Sequence, residues 1–289
     1  MIYSVDGTPS NIAYSVSGDS LSQAYDIDQN PLLGETLVVM TYNYQWCTKI
    51  NSQLTMQQAI INKYKPDIIG LQEAASNNKN SNTFPSLVDQ FLSGYTKQLS
   101  TQATNRNAIA YKLPVSDYQT IKYTQNDDEN WDYQKCRITL PSGKVIAWYN
   151  THLTWRHNAE TYLRKYNQAA EMFADITNER QTTPYIIVTG DFNMYGLSFD
   201  SDDYIGVGKQ FADAGFILAN WNSSVGFVKT YSGLSSATSL SEFSLSCDNI
   251  ICTPNIQMTS VTFDTTKLGF LNGDPIDHVP VIATLHFGG

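Results

Sequence analysis

Four apolar runs in this chain end in polar side chains capable of chemistry: Leu37-Val38-Val39-Met40 leads to Asn43, and Ile68-Ile69-Gly70-Leu71 to Glu73. Val145-Ile146-Ala147-Trp148 leads to Asn150-Thr151-His152, and Tyr185-Ile186-Ile187-Val188 to Asp191 and Asn193. A continuous apolar run marks a strand buried on both faces, so layers must cover it on either side. Polar residues at the ends of such strands sit where loops from a rigid scaffold can converge. A fifth cluster, Asp277-His278, differs in preceding its strand, Val279 to Phe287.

The remaining pattern mixes strand pairs with a few helices. Residues 1–34 are polar, with turn signals at Asp6-Gly7, Ser17-Gly18-Asp19 and Asn30-Pro31, and read as an N-terminal extension with two stretches able to form a hairpin. A helix is predicted over residues 55–64, with Met56, Ala59, Ile60 and Lys63 as its buried stripe and Pro66 as its stop. Another is expected over residues 86–92, followed by strands at 95–99, 108–111 and 118–123. Pro141-Ser142-Gly143 separates strands 131–140 and 144–150 as a hairpin. Leu163, Tyr166, Ala170, Phe173, Ala174 and Ile176 recur at helical spacing over residues 159–180, and strands follow at 185–189 and 246–252. The expected class is α+β, two packed mixed β-sheets flanked by helices.

Composition bounds the rest. With 289 residues, 42% of them hydrophobic and 12% aromatic, and no linker, repeat or low-complexity tract, residues 35–289 are expected to form one catalytic domain. A formal charge of −9 with 18 Lys plus Arg excludes the broad basic face of most sequence-specific nucleic-acid binders. It does not exclude a nuclease, because a bound metal ion changes the charge balance where phosphate docks. No apolar run reaches the roughly 20 residues of a spanning helix, and Met1 opens a polar stretch. The expectation is a monomer without an integral membrane segment or visible leader. Few Lys among many Ser, Thr, Asn and Tyr lean towards the surfaces found outside cells. Cys47, Cys136, Cys247 and Cys252 form no metal-type spacing and read as buried thiols, with a disulfide as the alternative.

Gly190-Asp191-Phe192-Asn193 behind an apolar strand and the late Asp277-His278 are the most specific strings; Leu71-Gln72-Glu73 and Asn150-Thr151-His152-Leu153 join them in order. At these residues the chain resembles the endonuclease/exonuclease/phosphatase superfamily over about residues 36–287. The resemblance implies a four-layer α/β sandwich of the deoxyribonuclease I-like type and a divalent cation, Mg²⁺ with Mn²⁺ or Ca²⁺ as alternatives. It implies Glu73 as main metal ligand, with Asn43 beside it and Asp277 near the same ion, a hard oxygen set suited to Mg²⁺. Asp191 matches the aspartate that activates the attacking water, and Asn193 would hold the phosphate or that water. His278 would contact the scissile phosphate, with Asp248 fixing and charging its imidazole. His152 matches a second phosphate-contacting histidine, with Asn150 in support. Its acidic partner in deoxyribonucleases has no clear counterpart here, since Arg106 and Asn107 precede the strand where one would stand.

Each assignment has a plainer alternative. Glu73 alone would be a solvated strand-end carboxylate, Asp191-Phe192-Asn193 a turn held by its own backbone bonds, His152 a structural histidine and Asp248 a strand-edge residue. Trp46, Trp131, Trp155 and Tyr195 lie beside the clusters and could stack on a base, line a lipid crevice or simply pack. Arg106, Arg156 and Arg164 are the nearest basic residues, and Arg164 is expected to pair along its helix. The expected activity is metal-dependent phosphodiester hydrolysis of nucleic-acid type; alternatives are a phospholipid or inositol phosphate substrate and, in another class, a silent binding module on the same fold.

Overall fold

The computed structural model describes residues 12–17, 20–25, 34–44, 50–74, 92–100, 107–126, 130–155, 159–194, 207–222, 226–230, 246–264 and 278–288. Within the N-terminal extension β1 (Ile12–Ser17) and β2 (Ser20–Tyr25) form an antiparallel hairpin. Strand β3 (Gly34–Asn43), helix α1 (Ile50–Tyr64) and strand β4 (Ile68–Gln72) make a βαβ unit with parallel strands. Two antiparallel pairs follow, β5 (Thr96–Leu99) with β6 (Ala108–Tyr111) and β7 (Val115–Lys122) with β8 (Asp132–Thr139). A second parallel βαβ unit consists of β9 (Val145–His152), α2 (Ala159–Glu179) and β10 (Tyr185–Asp191). The rest comprises α3 (Val207–Asp213), the short β11 (Ile217–Leu218), β12 (Trp221–Asn222) and β13 (Gly226–Phe227), then β14 (Asp248–Cys252), β15 (Gln257–Asp264) and β16 (Val281–Gly288).

These strands form an eight-stranded sheet in the order β1-β2-β15-β16-β3-β4-β6-β5 and a six-stranded sheet in the order β11-β14-β10-β9-β8-β7. The hairpin lengthens the first sheet by pairing β2 with β15. Three apolar layers explain why the central strands carry unbroken apolar runs. Leu37, Val39, Ile68, Trp148, Ile187, Ile250 and Phe287 pack between the sheets. Met40, Ile69 and Leu71 face Ile60 and Ile61 of α1 on one outer side, and Ile186, Val188 and Tyr149 face Met172 and Ile176 of α2 on the other. The result is the expected four-layer sandwich, helix on sheet on sheet on helix.

Several local expectations shift. Among the described side chains of α1 the buried positions are Gln57, Ile60 and Ile61, while Ala59 and Lys63 face outward and the Met56 side chain lies outside the described residues; the Lys63 ammonium and the Tyr64 hydroxyl both reach Asp264 Oδ2, at 2.9 and 2.7 Å. On α2 the stripe is rotated: Thr161, Lys165, Gln168, Ala169, Met172 and Ile176 are buried, while Leu163 is 61% exposed, Tyr166 36% exposed, and Ala174 lies outside as well. The polar half of that stripe lies beneath loop backbone whose carbonyl and amide groups need partners, which apolar side chains could not supply. β15 escaped the sequence reading although Met258, Val261 and Phe263 are its buried residues, and so did the one short helix α3. The helix expected over residues 86–92 lies outside the described residues except for Leu92, which is in a turn. Cys136, Cys247 and Cys252 are buried free thiols; Cys47 lies outside the described residues. No helix among the described residues is long and apolar enough to cross a membrane.

Candidate active site

Strand register brings the polar ends together. In the second sheet Asp191 at the end of β10 pairs laterally with His152 on β9 and with Asp248 on β14, so three residues distant in sequence become neighbours across adjacent strands. In the first sheet Asn43 on β3 stands opposite Gln72 on β4, directly before Glu73. The two sheets approach closely beneath this point. A Cβ at Gly70 would collide with the Thr189 hydroxyl and the Asn150 amide, so glycine is required there by space. Asn150 fills the junction: its amide nitrogen faces the Leu71 and Ala108 carbonyls at 3.1 and 3.0 Å, and its oxygen accepts from Gln72 Nε2 at 2.8 Å and Thr189 Oγ1 at 3.1 Å. Asn150 therefore ties the sheets together below the site rather than meeting Asp191.

Asp191 is the hub. Its Oδ2 accepts from Asn43 Nδ2 at 2.9 Å and lies 3.4 Å from His152 Nε2 and 3.7 Å from His278 Nε2, while Oδ1 accepts from the Asn193 backbone N–H at 2.9 Å. His278 Nδ1 is 2.8 Å from Asp248 Oδ2. The Asn43 amide also lies 3.5 Å from Glu73 Oε1, linking the first sheet's carboxylate to the hub. Asn193 turns its side-chain amide to the Leu153 carbonyl at 2.8 Å and its own carbonyl to the Lys165 ammonium at 2.7 Å. Thus the structure gathers Asn43, Glu73, His152, Asp191, Asn193, Asp248 and His278. Asp277, Trp46, Tyr195, Arg106 and Arg156 lie outside the described residues. Trp131 packs edge-on against the His152 ring with centroids 4.8 Å apart, Trp155 is 47% exposed, and Arg164 pairs with Glu160 at 2.9 Å.

Two site residues hold left-handed backbone, Glu73 with φ 53° and Asn193 with φ 48°. Asparagine tolerates this region, whereas a glutamate seldom occupies it. Such outliers persist where surrounding structure fixes them, and they cluster at functional sites.

Burial and charge set the proton states. Burial drives the His152 imidazole down to about 4, with the charges of His278 and Lys165 acting the same way and only Asp191 opposing. His152 is therefore neutral at pH 7. A tautomer protonated at Nε2 faces Asp191 and leaves a bare lone pair at Nδ1, which has no partner among the described residues and costs less than a bare N–H. Asn107, just before the strand where deoxyribonucleases place the acidic partner, instead donates its amide to Asp132 Oδ1 at 2.7 Å. Burial pushes Asp191 up, but the histidines, the Asn43 amide and the Asn193 N–H outweigh it and hold the carboxyl below its ordinary value. Burial pushes Asp248 up to about 6, only partly offset by His278. Burial likewise draws the Lys165 ammonium down to about 7, against the pull of Cys247 and Asp191. Lys165 and Gln168 are absent from the motifs legible in sequence; polar residues interrupting an apolar helix stripe are the signal that points to them.

The donor set suits a hard divalent cation. One ligating atom from each of Asp191, Asp248 and His278 lies within 4.8 Å of the others, and Asp248 Oδ1 is buried with no hydrogen-bond partner among the described residues. Glu73 adds a third carboxylate on the far side of Asn43. Several carboxylates so close together, with the neutral Asn43 amide between Asp191 and Glu73, favour bound positive charge.

Comparison with known proteins bears on the fold and the family. The family model described as "Endonuclease/Exonuclease/phosphatase family" matches residues 46–254. No curated protein sequence matches significantly. Among solved structures, the catalytic domain of human Nocturnin superposes with a TM-score of 0.62 at 18% identity, over 88% of this chain and 96% of that one. An endonuclease/exonuclease/phosphatase protein from Beutenbergia cavernae gives 0.66 at 14% identity, over 88% and 72% of the two chains. Truncated TDP2 from Caenorhabditis elegans gives 0.64 at 18% identity, over 87% and 97%. These likenesses establish the shared fold, and the match over most of the sequence establishes the kinship: the chain belongs to the endonuclease/exonuclease/phosphatase family.

Proposed function

We propose that this protein is a divalent-metal-dependent phosphodiesterase in which Asp191 activates water for direct attack on phosphorus. One observation carries the reading: the Asp191 carboxylate faces Asn43, His152 and His278 within 3.7 Å, with His278 backed by Asp248. A carboxylate held ionised can take the proton from water as the new P–O bond forms. The Asn193 N–H fixes its second oxygen, so the basic atom keeps its orientation. His278, its Nδ1 held by Asp248, would in its protonated form stabilise the developing oxyanion and hand a proton to the departing alkoxide as the ester bond breaks. Neutral His152 would contribute a hydrogen bond rather than charge. Glu73, with Asn43 and Asp277, would hold the cation, and a bound Mg²⁺ or Mn²⁺ would neutralise charge on the non-bridging phosphate oxygens.

A nucleic-acid backbone is the first substrate reading, on the family's own nuclease side. A second, a phospholipid headgroup phosphodiester, is favoured by Trp155, about half exposed three residues after His152. The deciding experiment compares plasmid nicking with release of a phosphorylated headgroup from vesicles, each with Mg²⁺ and with chelator. Asp191→Ala and His278→Ala are expected to abolish the active arm while leaving the protein folded. Parent-level hydrolysis by either variant would refute the mechanism, and hydrolysis undiminished by chelator would refute the metal dependence.

A further inference from the structure

Helix α2 buries a lysine where its own sequence offers leucine. Lys165 is 3% exposed although Leu163 and Tyr166, two apolar residues of the same turns, are left outside. Burying an ammonium is costly unless its partners compensate, so the rotation that selects Lys165 over Leu163 calls for a cause. The cause lies above the helix. Lys165 Nζ donates to the Asn193 carbonyl at 2.7 Å, and three residues along, Gln168 Oε1 accepts from the Thr154 backbone N–H at 3.1 Å. These two side chains grip the two loops that leave β10 and β9. The loops are already joined to each other, by Leu153 N–H to the Asp191 carbonyl at 2.9 Å and by Asn193 Nδ2 to the Leu153 carbonyl at 2.8 Å.

Resting on the phosphoesterase reading above, we infer that Lys165 is a positioning residue for the reaction: it pins the left-handed Asn193 so that the Asn193 N–H holds the Asp191 carboxylate in its working orientation. The chain of contacts is short and directional. The ammonium fixes the Asn193 carbonyl, and through the φ and ψ angles of Asn193 the preceding Phe192–Asn193 peptide keeps its N–H on Asp191 Oδ1, so that Asp191 Oδ2 is left facing Asn43 and the histidines. Asparagine tolerates the left-handed region without requiring it, so the Asn193 conformation depends on the bonds around it, the Lys165 contact among them. A small displacement of a catalytic group lowers turnover far more than it lowers substrate binding.

The test uses the full chain with Lys165→Met, which keeps length and burial but loses the donor, and Lys165→Arg, which restores a cationic donor. With bis(p-nitrophenyl) phosphate and Mg²⁺, the Met variant should lose about ten- to a hundredfold in kcat at nearly unchanged KM, and the Arg variant should recover most of it. Amide hydrogen exchange should quicken by about tenfold or more at Asn193 and Leu153 in the Met variant, with distant strands unchanged. A folded Met variant with parental kcat and parental exchange at Asn193 overturns the inference. If Met at this position prevents folding, Lys165→Gln is judged by the same two readouts. Should the parent itself fail to cleave the ester, the phosphoesterase reading falls, and the exchange measurement alone still decides whether Lys165 holds Asn193.

Discussion

The two βαβ units are built to one plan and used differently. In the first, β3 and β4 carry Asn43 and Glu73 at their carboxyl ends; in the second, β9 and β10 carry His152 and Asp191. Helix α1 mainly covers its sheet, through Ile60 and Ile61. Helix α2 covers with Met172 and Ile176 but turns Lys165 and Gln168 to the backbone of the loops beyond its strands. The difference teaches that a parallel strand pair suffices to bring two side chains close, whereas the loops beyond the second pair are also held by polar groups from the layer behind them.

If the second unit carries the chemistry and the first the cation, substitutions should separate them. Asp191→Asn keeps the volume and removes the base, so turnover should fall by about 10³-fold, measured with a soluble phosphodiester at saturating Mg²⁺. Asn43→Ala should cost about 10- to 100-fold, and much of that should return as Mg²⁺ is raised. Equal losses that ignore Mg²⁺ concentration in both variants would erase the division of labour. Gly70→Ala forces a methyl into the junction between the units, and should destabilise by about 1–3 kcal/mol in chemical denaturation. Glu73→Gly should remove the metal-dependent activity yet leave the unfolding midpoint unchanged or raise it, because glycine relieves left-handed backbone worth about 1 kcal/mol.

The smallest expected effect is one the parent hides. His152, held down to about 4, stays neutral in the folded state while the unfolded chain protonates it, so stability is lost as pH falls from about 6.5 to 4. Asp248, raised to about 6, has the opposite sign: the folded state keeps its proton longer than the unfolded one, so stability is lost as pH rises from about 4 to 6. The two slopes run in opposite directions and offset each other. His152→Gln should therefore unmask a fall in unfolding temperature between pH 4 and 6, and Asp248→Asn a rise, both measured in chelator. Parallel profiles for parent and variants would show that neither group titrates as its burial implies.

Much of this was legible before any fold was known. The unbroken apolar runs ending at Asn43, Glu73, His152 and Asp191 required covered strands, and covered strands required the four layers found. The histidine near Asp248 and the aspartate near Asn193 were named from short strings, and strand register then placed them side by side. What escaped was whatever depends on direction rather than spacing. Leu163 and Tyr166 obey helical periodicity yet point outward, since hydrophobicity cannot sense loop carbonyls waiting above a helix. Asn150 belongs to the motif string but serves the joint between the sheets, since neighbouring strand positions are sorted to different depths only when two sheets meet.

The sequence by itself determined which side chains could perform hydrolysis and which strands would carry them, because burial of apolar strands is a local consequence of composition and period. Only the tertiary structure decided that Asp191 faces Asn43 from another sheet, that His152 Nδ1 has no partner among the described residues, and that Lys165 lies beneath the loops. Those outcomes depend on distances between residues up to 148 positions apart, which are fixed when sheets pack and not before.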